Sequence, residues 1–424
     1  MRFLWQRSDF HWDGVVTGQR PTLADHKMNP ASLLWTILNG VTLFFWASAA
    51  YHGRAFLFKI RLFATYSKRV PILLWHKYIR KSVRVKHQLQ QVNALPDDAE
   101  VLQEREVYFV RHAESTWNEM INRGFAPQIL LPKLVGGIAF EAFLLSTGNP
   151  DSKIVDAPIC AEGINQAASL REFLADEENY EDDRDWRVLN GYDGANGARA
   201  PTSVLVSSNL RRSLSTMLLG FQDRFHRRRT VDKLLVNPFL QETAINADCV
   251  SLHPRTKAVT SPTYNASSFD PPASAMLYQQ FIGEETQPAS ENVLGDEQLM
   301  QFADWLFTQQ APTNNTDGDG EDSAAAVSRP STFIVGGHSH WFRRFFQLCL
   351  PRPSEAGTVK DAQTLKIENG GVMAFTLQQL RVGDTVVYRV VQDSLRNVFK
   401  EFDRSRVSNS ARHGDINTET KKTN

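Results

Sequence analysis

The run Val107-Tyr108-Phe109-Val110 leads without a break into Arg111 and His112. Four successive β-branched or aromatic residues have strand-forming character, and a buried strand ending in Arg-His delivers both side chains to the C-terminal edge of a sheet. That edge is where α/β proteins bind their ligands. An imidazole held beside a guanidinium points to chemistry on an anion, and a phosphate is the anion that suits this pair best.

The rest of the 424-residue chain must be compatible with such a strand, and its length allows one large or two medium domains. The 47 basic and 47 acidic residues balance, so no overall charge argues for a nucleic-acid partner. The balance is, however, uneven along the chain. Between Tyr51 and Pro96 there is no Asp or Glu, while ten Lys and Arg fall there, from Arg54 to Lys86. The three cysteines, Cys160, Cys249 and Cys349, are far apart and odd in number. They read as free thiols of a reducing compartment and argue against a disulfide framework or a zinc site.

Residues 31–51 contain no charge and are rich in Leu, Ile, Phe and Trp, a length and composition that suit a membrane-spanning helix. Ala47-Ser48-Ala49 resembles a signal-peptide cleavage pattern, although the leader before it is long. An interfacial or core helix is the third reading. If the helix spans, the basic block after it places the C-terminal side in the cytoplasm as a single-pass protein. The mixture of apolar and basic residues over 54–87 suits a contact with anionic lipid; a solvated basic linker is the alternative. Neither reading makes this segment part of the catalytic region.

Further along, other apolar runs end in polar residues. Thr202–Ser207 leads into Ser208, Leu210, Arg211 and Arg212; Asn237–Gln241 leads into Glu242; and Thr332–Gly337 ends at His338. Taken in order, these stations resemble the histidine phosphatase superfamily, which includes the phosphoglycerate mutases. Arg111-His-Ala-Glu-Ser-Thr-Trp-Asn118 is similar to its signature, with Ala113 where the family has glycine. Gly163 and Gln166-Ala167 match the next element in spacing, with Cys160 in place of a hydroxyl residue. The resemblance covers roughly residues 105–392.

It implies an α/β fold: a three-layer sandwich with a mostly parallel central sheet flanked by helices, preceded here by the N-terminal apolar helix. It implies His112 as the nucleophile that carries the phosphoryl group, with Arg111, Asn118, Arg212 and His338 around the phosphate. Glu242 is then the general acid, with Asp248 as the fallback, and Arg211 is expected to be exposed. The scheme needs no metal and no cofactor. The expected partner is a phosphorylated small molecule or phosphoprotein; oligomeric state is open. The residues after Glu242 lack the cations of the mutase branch, which favours a membrane-anchored phosphomonoester hydrolase over a mutase or bisphosphatase. A non-catalytic phosphate-binding scaffold is the reading from outside enzymology.

The expected layout is a tail (1–30), the apolar helix (31–51), a basic juxtamembrane segment (52–96), a catalytic domain (97–400) and a disordered tail (401–424). Insertions are expected at 119–155, 251–296 and 313–331. The first carries a mostly apolar run, read as a packing helix or as a lid or membrane-contacting element. The second reads as irregular, the third as low-complexity and disordered. Asp176–Ala200 reads as a surface loop. Arg412-His-Gly414 repeats the signature's first residues with no strand before it and reads as coincidence.

Overall fold

The computed structural model describes residues 30–78, 82–95, 99–122, 127–192, 203–253, 266–283, 293–309, 332–351 and 357–404. The expected disordered stretch 313–331, residues 405–424 of the expected disordered tail 401–424, and the Arg412 repeat lie outside them; the start of that tail is instead ordered, with Phe402–Asp403 in a strand and Phe402 buried. The chain divides into two compact units, Met1–Gly53 and Arg54–Asn424. In the first unit the described residues form α1 (Pro30–Tyr51), 22 residues long. At ~1.5 Å per residue this is about the thickness of a bilayer's hydrocarbon core. Among the described residues it is the one helix long and apolar enough to cross a membrane.

The second unit is built on a seven-stranded sheet. Its strands are β1 (Glu100–Arg111), β2 (Ser203–Ser207), β3 (Leu234–Val236), β4 (Thr332–Gly337), β6 (Val372–Val382), β7 (Thr385–Val390) and β8 (Arg396–Phe399). The order is β3-β2-β4-β1-β6-β7, with β8 pairing onto β6. β1, β2, β3 and β4 are parallel neighbours; β6 runs antiparallel to β1, β7 and β8. A separate two-stranded ribbon joins β5 (Lys366–Ile367) to β9 (Phe402–Asp403).

The alternation of side chains along each strand sorts the core into two layers. Val107 and Phe109 of β1, Phe333 and Val335 of β4, and Met373 and Phe375 of β6 share one face with Trp305, Trp341 and Phe345. These last belong to α11 (Asp296–Thr308) and α12 (Ser339–Cys349). Tyr108, Val110, Leu205, Ile334, Val372 and Ala374 face the other way. There they meet Leu170 of α6 (Ala161–Ala175), Met217 of α8 (Arg211–Gly220) and Tyr278 of α10 (Pro272–Phe281). Every residue of Val107–Val110 is fully buried, because both faces of the strand are covered. The three-layer α/β expectation therefore holds, with β6 as the antiparallel strand in an otherwise parallel arrangement.

Several elements depart from the sequence reading. The basic segment, expected outside the folded part, forms α2 (Gly53–Tyr78) and α3 (Val83–Ala94). α3 is stitched into the second unit: the Gln88 amide donates to the carbonyls of Leu348 (3.1 Å) and Tyr388 (2.6 Å), and its oxygen accepts the Tyr388 N–H at 3.0 Å. One glutamine thus satisfies both backbone groups that β7 would leave open at the sheet edge. The stretch 176–200, expected as a loop, holds α7 (Asp183–Asn190), with Val188 and Leu189 buried. The stretch 251–296, expected to be irregular, holds α10, which buries Leu277, Tyr278 and Phe281. Short apolar runs spaced by Pro and Ser hide such a helix from periodicity. The remaining helices are α4 (Thr116–Asn122), α5 (Pro127–Ser146), α9 (Gln222–Arg227) and α13 (Thr358–Thr364).

Candidate active site

The four parallel strands end at one edge, and short backbone bonds fix the residues that leave it. The His112 N–H donates to the Gly337 carbonyl (3.0 Å), Ser208 N–H to Gly336 (2.9 Å) and Asn237 N–H to Ser207 (2.8 Å). The chain ends after β1, β2, β3 and β4 therefore lie side by side. The sequence constrains this edge sterically as well. A Cβ on Gly163 at the start of α6 would lie 2.1 Å from the Glu114 carbonyl oxygen, so glycine lets α6 press on the loop after His112. The Gln166 side chain accepts the Glu114 N–H at 2.8 Å, and Thr216 Oγ1 of α8 accepts the Ala113 N–H at 2.9 Å. Ala113 has no positive φ, so its methyl is compatible with the loop where a glycine was the family expectation.

His112 is buried, and its Nδ1 lies 2.7 Å from the Ala113 carbonyl oxygen. Only a protonated Nδ1 can donate there, which leaves Nε2 as the unprotonated, nucleophilic nitrogen. Burial, followed by the charges of Arg212 and Arg111, pushes the His112 pKa well below its ordinary value, so the ring is neutral near pH 7. His338 sits with its ring centroid 5.0 Å from that of His112. Its Nε2 is 2.8 Å from Ser208 Oγ, which in turn accepts the Leu210 N–H at 3.3 Å. With the serine hydroxyl donating, the His338 hydrogen is on Nδ1, which has no hydrogen-bond partner. Burial and then Arg212 lower its pKa as well.

The two arginines at the start of α8 are both buried, and they divide the work. Arg211, expected to be exposed, is instead saturated with partners. It ion-pairs with Asp151 at 2.5 Å and donates to the carbonyls of Asp156 (3.0 Å) and Ser152 (2.8 Å), while its own N–H donates to Asp156 Oδ1 at 2.8 Å. The physical reason for the difference is Asp156, which turns the chain with a φ of 50° and offers a buried carboxylate to this helix start. Arg212 donates to the Asp248 carbonyl at 2.7 Å and lies 3.3 Å from its carboxylate, but its Nε has no partner. Burial opposes the charge, yet Asp248 and Glu242 together raise its pKa. Arg111, at the end of β1, is oriented by a hydrogen bond to the Ile367 carbonyl.

Glu242 is buried at the same edge. The turn that presents it is held by Trp341 and Gln298, which donate to the Phe239 carbonyl at 2.8 and 2.7 Å. Among the described residues its carboxylate accepts one hydrogen bond, from the Thr243 N–H at 2.8 Å. Asp248, by contrast, is engaged by Arg212, and burial raises its pKa. Asn118 is partly buried on the first turn of α4, where its N–H donates to Ser115 Oγ at 3.2 Å. Among the described residues no hydrogen bond ties it to the other expected site residues. The structure thus gathers Arg111, His112, Arg212 and His338, with Glu242 beside Arg212, and Asn118 follows on the helix that begins four residues after His112.

Two participants were missed. Ser208 holds the His338 ring by its Nε2. Arg69, from α2, is buried, donates to the Glu242 carbonyl at 2.6 Å, and has an Nε without a partner. Burial lowers its pKa, and Arg212 is close enough to act in the same direction. A signal for Arg69 did exist. Ala55, Leu62, Tyr66, Arg69 and Leu73 recur at spacings of seven, four, three and four, the register of a helix face turned toward a core.

No family model and no curated protein matches the chain. Among solved structures, it is similar to a mycobacterial glucosyl-3-phosphoglycerate phosphatase at 15% identity, with 68% of this chain and 97% of that chain covered and a TM-score of 0.30. It is also similar to the ecdysone phosphate phosphatase of Bombix mori solved with tungstate, at 15% identity, 72% and 99% coverage and a TM-score of 0.32. A structure described as mycobacterial hydrolase 2 matches at 12% identity, 73% and 97% coverage and a TM-score of 0.30.

Proposed function

We propose that the chain is a phosphomonoester hydrolase of the histidine phosphatase type, working through a phosphohistidine on His112. The observation that carries this reading is the state of His112: neutral, held by Nδ1 on the Ala113 carbonyl, and flanked by Arg111, Arg212 and His338. In the first step Nε2 forms a bond to phosphorus as the ester P–O bond breaks, and Glu242 gives its proton to the leaving oxygen. In the second, Glu242 takes a proton from water, whose oxygen bonds to phosphorus while the N–P bond breaks.

Charge builds on the three equatorial oxygens during both transfers. We assign the stabilisation of that charge to the Arg212 Nε and the His338 ring, whose Nδ1 is, like that Nε, buried and without a partner among the described residues. Leaving such donors unsatisfied costs about 1–3 kcal/mol each, which a bound phosphate would return. Arg111 and Asn118 complete the proposed ring. A positioned general acid contributes roughly 10²–10⁴-fold, and Glu242 is better placed for it than Asp248, which serves Arg212.

We further propose that α1 anchors the protein in a membrane, with the second unit on the cytoplasmic side, supported by the ten cations between Tyr51 and Pro96. The sequons Asn265-Ala-Ser267 and Asn314-Asn-Thr316 probe this: glycans on either would place the unit on the opposite side. For the chemistry, the test is rapid quenching with a labelled phosphomonoester. Acid-labile phosphate on wild type and none on His112→Ala supports the scheme; unaltered turnover by His112→Ala refutes it.

A further inference from the structure

Beside the catalytic edge, a cavity of about 590 Å³ opens between α2 and the chain that follows Glu242. This lies within the ~300–1,000 Å³ range of sites that hold small organic ligands. Its walls are mostly apolar: Phe58, Leu62 and Ile72 come from α2, and Val250, Leu252 and Leu294 face them. Three cations line it, Arg61, Lys68 and Arg69, and among the described residues no Asp or Glu does. The cations are graded in depth. Arg61 and Lys68 are exposed at the mouth, whereas Arg69 is 8% exposed, and its Nε has no hydrogen-bond partner.

At its buried end this cavity shares a wall, Arg69 and Gln241, with the proposed phosphate site. Arg69 bonds to the Glu242 carbonyl, and its charge acts on His338. Gln241, also on the wall, holds the Cys249 carbonyl at 2.7 Å, next to the Asp248 that engages Arg212. Arg69 thus faces the apolar trough on one side and the neighbourhood of Arg212 and His338 on the other. Burial leaves the one histidine of the trough, His253, with a pKa lowered to about 4, so it adds no charge at neutral pH.

We propose that this cavity is the leaving-group subsite and that the substrates are amphiphilic phosphomonoesters, an alkyl or other apolar body bearing a terminal phosphate. The proposal rests on the hydrolase reading for its chemistry but not for its binding. The apolar body fills the α2 trough, Arg69 bridges it to the phosphate, and Arg61 and Lys68 favour anionic ligands at the mouth. Such an ester can come from the lipid phase or from solution; the chemistry recognised is the same.

The test uses the full-length protein in phosphatidylcholine nanodiscs and a cavity-filling variant, Ala64→Trp. Ala64 lines the trough, is exposed, and lies outside the phosphate site. Calorimetry with non-hydrolysable alkyl phosphonates of two to eight carbons reads binding alone. Affinity rises about threefold to fourfold per methylene in wild type, from the free energy of burying a CH₂ group, and the Ala64→Trp series is flat. Phosphate release from matched alkyl phosphates reads turnover, with methyl phosphate, whose leaving group is too short to enter the trough, as the reference for the phosphate site alone.

A chain-length series that is flat in wild type, or equally steep in Ala64→Trp, overturns the cavity proposal. Phosphonate binding that follows chain length without any phosphate release keeps the subsite and overturns the hydrolase reading. Turnover of a phosphatidic acid carried in the nanodisc, faster than that of octyl phosphate in solution, assigns the source to the lipid phase; the reverse order assigns it to solution. Arg69→Met weakens phosphonate binding at every chain length, whereas Ala64→Trp removes only the dependence on length. If Arg69→Met leaves binding at every length unchanged, the proposed bridge is wrong.

Discussion

The adjacent arginines at the start of α8 provide a sharp test, because the structure gives them opposite work. Arg211→Ala would strip Asp151 of its ion pair and Asp156 of a charged neighbour, all in the buried interior. Breaking one side of a buried pair costs about 3–5 kcal/mol. At about 2.1 cal/mol/K of unfolding entropy per residue, that corresponds in a unit running from Arg54 to Asn424 to a fall in melting temperature of roughly 4–6 °C. Asp151 also sets a pH signature. Burial pushes its carboxyl up, but Arg211 and the hydrogen bonds from Ser268 outweigh this and hold it at about 2, below its ordinary 3.8. A depressed folded pKa contributes stability above the unfolded value and loses it as the pH falls through the folded one. The gap in melting temperature between wild type and Arg211→Ala is therefore full at neutral pH and narrows from about pH 4 toward 2. Arg212→Lys keeps a cation near Asp248 but loses the free Nε and the planar fork. It should melt close to wild type and lose about 10²–10³ in kcat on phenyl phosphate. Scanning calorimetry across pH, paired with phosphate release, separates the two. If Arg211→Ala melts with wild type while abolishing turnover, and Arg212→Lys remains active, the division of labour argued here is reversed.

Three further outcomes follow from the same edge. Ser208→Ala removes the partner that holds His338 Nε2 and so loosens the ring; kcat falls about tenfold or more, with melting lowered by a few degrees at most. The acid limb of kcat/KM lies well below pH 6.5, because His112 loses activity only on protonation and its pKa is lowered first by burial and then by Arg212; in Arg212→Met the limb moves upward. Gly163→Ala drives a methyl into the Glu114 carbonyl, so thermal stability drops by about 1–3 kcal/mol and phosphohistidine labelling slows with it.

Much of the sheet was legible because each parallel strand is covered on both faces. Val107–Val110 and Phe333–Val335 are unbroken apolar runs, and polar residues begin where the sheet edge begins. The placement of Arg111, His112 and His338 at these strand ends was legible for the same reason. Arg211 was not. A doublet of arginines at a helix start has no internal signal that says which one faces inward, and here both do, since Asp151 and Asp156 arrive from a segment 55–60 residues earlier. The helices α7 and α10 were obscured for a different reason. Their cores are completed by Leu174, Phe225 and other distant partners, so neither carries enough apolar residues to announce a helix alone.

Arg69 exposes the limit of reading a basic segment by its charge. Ten cations without a carboxylate looked like one kind of surface, yet the helical register separates them. Arg54, Arg61 and Lys68 are exposed, while Lys59 and Arg69 lie on the inward face, and each inward cation has a specific partner: Glu141 of α5 at 2.7 Å and the Glu242 carbonyl at 2.6 Å. A cation costs several kcal/mol to bury, so a helix that turns two of them inward is held there by those partners and not by its apolar residues alone. α2 also begins one residue after α1 ends. On the proposed reading, the same helix that leaves the bilayer forms a wall of the substrate trough and supplies a cation to the phosphate. If α1 is the anchor, inserting residues at His52 should alter turnover of lipid-borne esters more than that of phenyl phosphate.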